Sequence, residues 1–86
     1  MENIKMTEVQ SSNLAAVGYD DDSETLYVRF KGNRLYAFYG VSRADYEGLL
    51  AAESKGRYFA REIRGLHAYK YIGMPKDEEE EKGEQG

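Results

Sequence analysis

Arg57, Arg61 and Arg64 recur at intervals of four and three residues near the middle of the chain. A guanidinium group grips a phosphate or carboxylate through two parallel N–H bonds, so three on one face would make an anion site. Wound as a helix at about 100° per residue, they fall on one side, and Phe59, Ile63 and Leu66 fall almost opposite. Lys55, His67 and Lys70 flank the row. The same spacing also describes a solvated helix face whose arginines pair with nearby acids. A second group, Tyr27, Arg29, Lys31, Arg34, Tyr36 and Phe38, mixes rings with cations. Exposed rings on a sheet stack unpaired bases while neighbouring cations hold the backbone. Covered by the helices or the N-terminal segment, the same rings would make a second small core.

Other chemistries lack their residues. Asp20-Asp21-Asp22-Ser23-Glu24 lacks the later Gly and Glu of a calcium loop, having Thr25 and Lys31 there, and reads as an acidic turn. His67 is the sole histidine and there is no cysteine, which argues against zinc. No nucleophile elbow or glycine-rich phosphate loop is present. The expectation is a binding module rather than an enzyme, with no catalytic residue, metal or cofactor.

The 86 residues make one domain. A chain of this size buries only about 60% of its unfolded surface. Eight tyrosines and three phenylalanines must therefore supply much of its core. Tyrosine suits a thin core because its ring is buried while its hydroxyl stays wet. No stretch matches the roughly 20 apolar residues of a membrane span. The start, Met1 to Met6, resembles neither a signal nor a transit peptide, so a cytoplasmic location, away from membranes, is expected. The net charge of −4 is segregated. Asp77, Glu78 to Glu81 and Glu84, against Lys76 and Lys82, account for all of it. Five bases and one acid lie between Lys55 and Lys70, giving a local positive field on an acidic chain.

Along the chain, residues 1–10 read as a flexible lead-in, 11–75 as the domain, and 76–86 as a disordered acidic tail. Leu14 to Tyr19 reads as a first strand. Glu24 to Lys31 alternates, with Leu26, Val28 and Phe30 on one side. Gly32-Asn33 reads as a two-residue hairpin turn. That turn would pair Lys31 with Arg34, Phe30 with Leu35, Val28 with Ala37 and Leu26 with Tyr39. Ser42 caps a helix running to about Glu53, with Asp45 at its third position and Val41 and Tyr46 spaced for a hydrophobic staple. Ser54-Lys55-Gly56 is a break or kink. The arginine-bearing helix ends at Gly65. Ala68 to Ile72 has the pattern of a short extra strand. The expected fold is α+β: an antiparallel three-stranded β-meander, with a short fourth strand as an option, packed against two short α-helices. Leu26, Val28, Phe30, Leu35, Leu49, Leu50, Phe59 and Ile63 would form the core.

The order of these motifs resembles the KTSC domain, a short module named after the C-terminal extension of some lysyl-tRNA synthetases. The residues that carry the resemblance are Ser11-Ser12-Asn13, Tyr19, Tyr36-Ala37-Phe38, Leu49-Leu50, Ser54-Lys55-Gly56, Phe59 and Ile63. It spans about Val9 to Ile72. Phe38 stands where a second tyrosine is common, and Ala60 where an asparagine is expected. The resemblance implies a bacterial or phage-borne module of unknown biochemical function for which RNA binding has been suggested. Two functional readings follow. In the first, Lys55, Arg57, Arg61, Arg64 and Lys70 hold phosphates of tRNA or single-stranded RNA, with Tyr36, Phe38 and Arg29 contributing from the hairpin. In the second, exposed Tyr and Arg form a protein–protein surface accessory to a larger enzyme or phage assembly. A monomer or weak dimer is expected.

Overall fold

Alternating apolar side chains make Thr25–Phe30 the middle strand of a five-stranded antiparallel sheet. The computed structural model describes residues 5–73. The strands are β1 (Thr7–Glu8), β2 (Leu14–Asp20), β3 (Thr25–Phe30), β4 (Leu35–Tyr39) and β5 (Tyr69–Gly73), neighbours in chain order. Helices α1 (Arg43–Ala51) and α2 (Lys55–Glu62) lie between β4 and β5 in sequence. The α+β class is as expected, with two strands beyond the meander. One is β5. The other is β1, which lies in the stretch read as a lead-in and pairs Thr7 with Val17 and Glu8 with Ala16. The expected disorder of residues 76–86 lies outside the described residues.

The hairpin register differs from the expectation by one residue. Phe30 N–H donates to the Arg34 carbonyl and Asn33 N–H to the Phe30 carbonyl, both at 2.9 Å. The loop is therefore Lys31-Gly32-Asn33. Gly32 (φ +96°) and Asn33 (φ +72°) both adopt left-handed backbone, which these two residue types tolerate best. Val28 now faces Tyr36, and Leu26 faces Phe38. A one-residue shift moves every side chain of a strand to the other face. Tyr36 and Phe38 thus join the apolar side of β3, and Ala37 goes to the back beside Tyr27. Phe38 becomes a core residue, only 5% exposed, and Leu35 is half-exposed instead.

The helices pack on that apolar side. The core joins Leu14, Val17, Leu26, Val28 and Phe38 of the sheet to Val41, Leu49, Phe59 and Ile63. Phe30 and Leu50, expected in the core, pack against its edge. Leu66, expected on the buried side of the helix, is 66% exposed because α2 has already ended.

The ends of α1 follow the sequence closely. Ser42 Oγ accepts from Asp45 N–H at 3.1 Å, as an N-cap should. Tyr19 hydroxyl donates to the Val41 carbonyl at 2.6 Å, and its ring stacks on Tyr46 at 5.0 Å. These contacts tie β2 to the entry of α1. The acidic turn is held from within and by α1: Asp20 accepts from Asp22 N–H and Ser23 Oγ, and Asp21 pairs with Arg43 at 2.6 Å. Helix α1 stops at Ala51, short of Glu53, and Ser54 caps α2 by accepting from Arg57 N–H at 3.4 Å.

Two predictions follow from this packing. Gly48 sits inside α1, where alanine is ordinarily the better helix former by about 1 kcal/mol. A Cβ there would collide with the Tyr58 hydroxyl and lie 2.8 Å from its ring. Overpacking outweighs propensity, so Gly48→Ala should lower the unfolding free energy by about 1 kcal/mol in urea denaturation. A rise in stability would show that Tyr58 yields without cost. The second concerns pH. Burial, reinforced by nearby carboxylates, raises the phenol pKa of Tyr19 (Glu24, Asp21) and Tyr58 (Asp45). Burial does the same for Tyr27. A folded pKa above the unfolded value means these contributions persist to about pH 10 and are lost as pH rises through the folded values. Melting temperature should therefore fall above about pH 10, as these three groups ionise.

Candidate functional site

Helix α2 stops earlier than its apolar pattern suggests, and this redistributes the arginines. Its C-cap is Ile63, and the Phe59 carbonyl accepts from both Ile63 and Arg64 N–H at 3.0 and 2.9 Å. The chain then turns through Gly65 at φ +84°. Arg64 is thereby turned away from the helical row. The expected three-guanidinium face does not form.

The eight proposed contact residues occupy different surroundings. Arg57 and Arg61 line a shallow depression with Gly48, Tyr58 and Glu53. Arg61 is bound to Glu62 at 2.9 Å and lies 5.7 Å from the Tyr58 ring centre. This surface has nearly as many acids as bases. Lys55 Nζ donates to the Ala52 carbonyl at 2.9 Å, closing the end of α1. Arg29 and Lys70 stand on the back of the sheet, in register with Ala16 and Ala37. The Arg29 Nε is buried there without a hydrogen-bond partner among the described residues. Only Arg64, Tyr36 and Phe38 come together.

They meet in a groove of about 540 Å³ between α2 and the hairpin end of the sheet. Its size falls in the range of small-ligand sites, about 300–1,000 Å³. Phe30, Tyr36, Phe38, Phe59 and Tyr69 provide the rings, and Lys31, Arg34 and Arg64 provide the charge. Ser12, Asn13, Gly56, Ala60 and Gly65 complete the lining, which contains no carboxylate among the described residues. Among the described residues none of the three cations is in a salt bridge. Phe59 meets Phe38 and Phe30 edge-on, with centroids 5.1 and 5.6 Å away. Phe38 is sealed beneath, so the ring expected to stack a base cannot be reached. The accessible rings are half-buried Tyr36 and Tyr69, which is 62% exposed and stacks on Phe38 at 5.7 Å. Tyr71 extends the row, 5.0 Å from Tyr36.

Tyr69 is the residue that the sequence grouping of Lys31, Arg34, Tyr36 and Phe38 lacks, because β5 and the hairpin end meet only in the folded sheet. The positive-φ pair Gly32-Asn33 is the one local signal for the loop that sets them. The Ser-Ser-Asn entry turns out to be the brace. Ser11 Oγ accepts from Asn13 and Leu14 N–H at 3.3 and 3.2 Å, and the Asn13 carbonyl accepts from Lys31 N–H at 2.9 Å. A Cβ on Gly56 would lie 2.8 Å from Asn13 Oδ1, so glycine lets the first turn of α2 close on that brace. His67 Nδ1 lies 3.1 Å from the Tyr39 carbonyl, outside the groove lining. No group of three His, Asp or Glu among the described residues is placed to hold a metal ion. No helix among them is long and apolar enough to cross a membrane.

A two-layer α+β module with an antiparallel sheet, two short helices and a cationic, aromatic groove is thus defined. Its sequence matches the KTSC domain model over residues 10–71, and the chain belongs to that family. It is similar to a protein of Tsukamurella paurometabola, 43% identical over 53 residues, covering 62% of this chain and 79% of that one. It is also similar to an uncharacterised protein of Stutzerimonas stutzeri, 35% identical over 68 residues, covering 79% and 94%. The crystal structure of a KTSC domain protein from Yersinia pestis superposes with a TM-score of 0.79 at 31% identity, covering 83% of this chain and all of that one.

The assignment of Lys55 to structure is testable. Lys55→Met keeps the aliphatic stem and removes the charged donor. It should cost about 1 kcal/mol of stability in urea denaturation. An unchanged midpoint would show that this bond adds nothing to the fold.

Proposed function

We propose that this KTSC domain is a non-catalytic module that holds single-stranded RNA in the groove between α2 and the hairpin end of the sheet. The observation that carries this reading is the groove's lining. Lys31, Arg34 and Arg64 surround reachable tyrosine rings, with no carboxylate among the described residues of the lining. Phosphates would lie against the cations and an unpaired base against Tyr36 and Tyr69, the division of labour expected for single strands. A groove of this size suits an unstacked base, not a duplex. Arg57 and Arg61, partly balanced by Glu53 and Glu62, are peripheral in this reading.

Fluorescence anisotropy with a labelled single-stranded RNA tests it. Engaging three phosphates on a single strand should give a log–log salt slope near −2, with binding detectable at about 50 mM salt. Arg34→Glu and Arg64→Glu should each weaken binding by about tenfold or more, ~1.4 kcal/mol. Arg57→Glu should change it much less. No binding at low salt, or sensitivity confined to Arg57 and Arg61, would overturn the groove assignment. The exposed run of Leu66, Tyr69, Tyr71 and Ile72 favours the rival protein–protein reading. That reading is recognised by binding that ignores salt and fails on Tyr71→Ala.

A further inference from the structure

We propose that the groove has a second occupant encoded in the same chain: the acidic stretch Asp77–Glu84, held by Lys31, Arg34 and Arg64 until an external ligand displaces it. This deepens the reading above and rests on the groove being a ligand site. The described chain leaves the sheet at Gly73, which pairs with Leu35, the neighbour of Arg34. The exit is therefore at the cationic end of the groove. Asp77 is four residues further, within about 14 Å of Gly73 even at full extension. Glu78 to Glu81 follow directly, and Glu84 lies three residues beyond them.

Charge selects among the surfaces within reach. Arg43 is engaged by Asp21 and Glu47, and Arg61 by Glu62. Lys70 lies on the back of the sheet, whereas the groove gathers three cations with no carboxylate among the described residues that line it. A short tether holds the acids at a millimolar effective concentration, enough for a weak contact to be populated. The attraction is screened over about 10 Å at 0.1 M salt. Asp77–Glu84 contains no aromatic residue, so Tyr36 and Tyr69 gain nothing from it. A ligand that combines phosphates with bases uses both halves of the groove and replaces the acids. A small anion uses one half and competes poorly. The stretch would act as a filter for ligands that carry rings as well as charge.

The chain has no cysteine, so Gly83→Cys in the full-length protein gives a single site for a nitroxide label. At low salt, amide signals of Lys31, Arg34, Arg64, Gly65 and Tyr69 should be broadened relative to the reduced label. Broadening should disappear at about 0.5 M salt, where the Debye length is only a few ångströms. It should also disappear in the Arg34→Glu/Arg64→Glu double variant. Broadening that is absent, spread evenly, or centred on Ala37 and Lys70 at the back of the sheet overturns the proposal. Single-stranded RNA added to the labelled chain should relieve the broadening. If broadening sits at the groove but RNA leaves it unchanged, the intramolecular contact stands and the RNA reading falls.

Discussion

Phe59 is where the helical layer grips the sheet, and the groove depends on that contact. Its ring meets Phe38 and Phe30 edge-on, the geometry favoured by aromatic quadrupoles. In a chain this small, few such contacts are available. The contact fixes how far α2 stands from the hairpin, and so the width of the groove beside it. It also needs Phe38 to be on the helix side of β4. That placement rests on the third loop residue between β3 and β4. With a two-residue loop, Ala37 would face Phe59 and the aromatic floor would not exist.

Electrostatics then decides which basic residues remain available. The sequence holds twelve lysines and arginines, yet several have local tasks. Arg43 staples the acidic turn to α1, Lys55 closes a helix end, and Arg61 lies against Tyr58 and Glu62. Exposed ion pairs of this kind contribute little stability, about 0–1 kcal/mol each. They offset charge around Arg43 and Arg61, whereas Lys31, Arg34 and Arg64 gather in one groove without an ion pair among the described residues.

Several of the residues that carry the family resemblance hold the scaffold together. Ser11 and Asn13 brace the hairpin base, Gly56 lets α2 approach Asn13, and Tyr19 anchors the loop before α1. They position a groove whose cations, Lys31, Arg34 and Arg64, lie outside those motifs.

Local signals in the sequence were sufficient for most elements. Alternation gave β3, the Ser42 cap with Asp45 gave the start of α1, and the spacing of Phe59 and Ile63 gave the buried side of α2. The α+β class and the cation-rich 55–70 stretch follow from the same evidence. Tertiary structure decided the rest. Strand pairing has a period of two, so one extra loop residue exchanged Phe38 for Leu35 in the core. The early end of α2 sent Arg64 to a different surface from Arg57 and Arg61. β1 is too short to announce itself, and β5 becomes a groove wall only by pairing with β4 across the two intervening helices. Propensity and pattern report on a few neighbouring residues, whereas register, helix ends and groove walls are set by contacts between segments far apart in the chain.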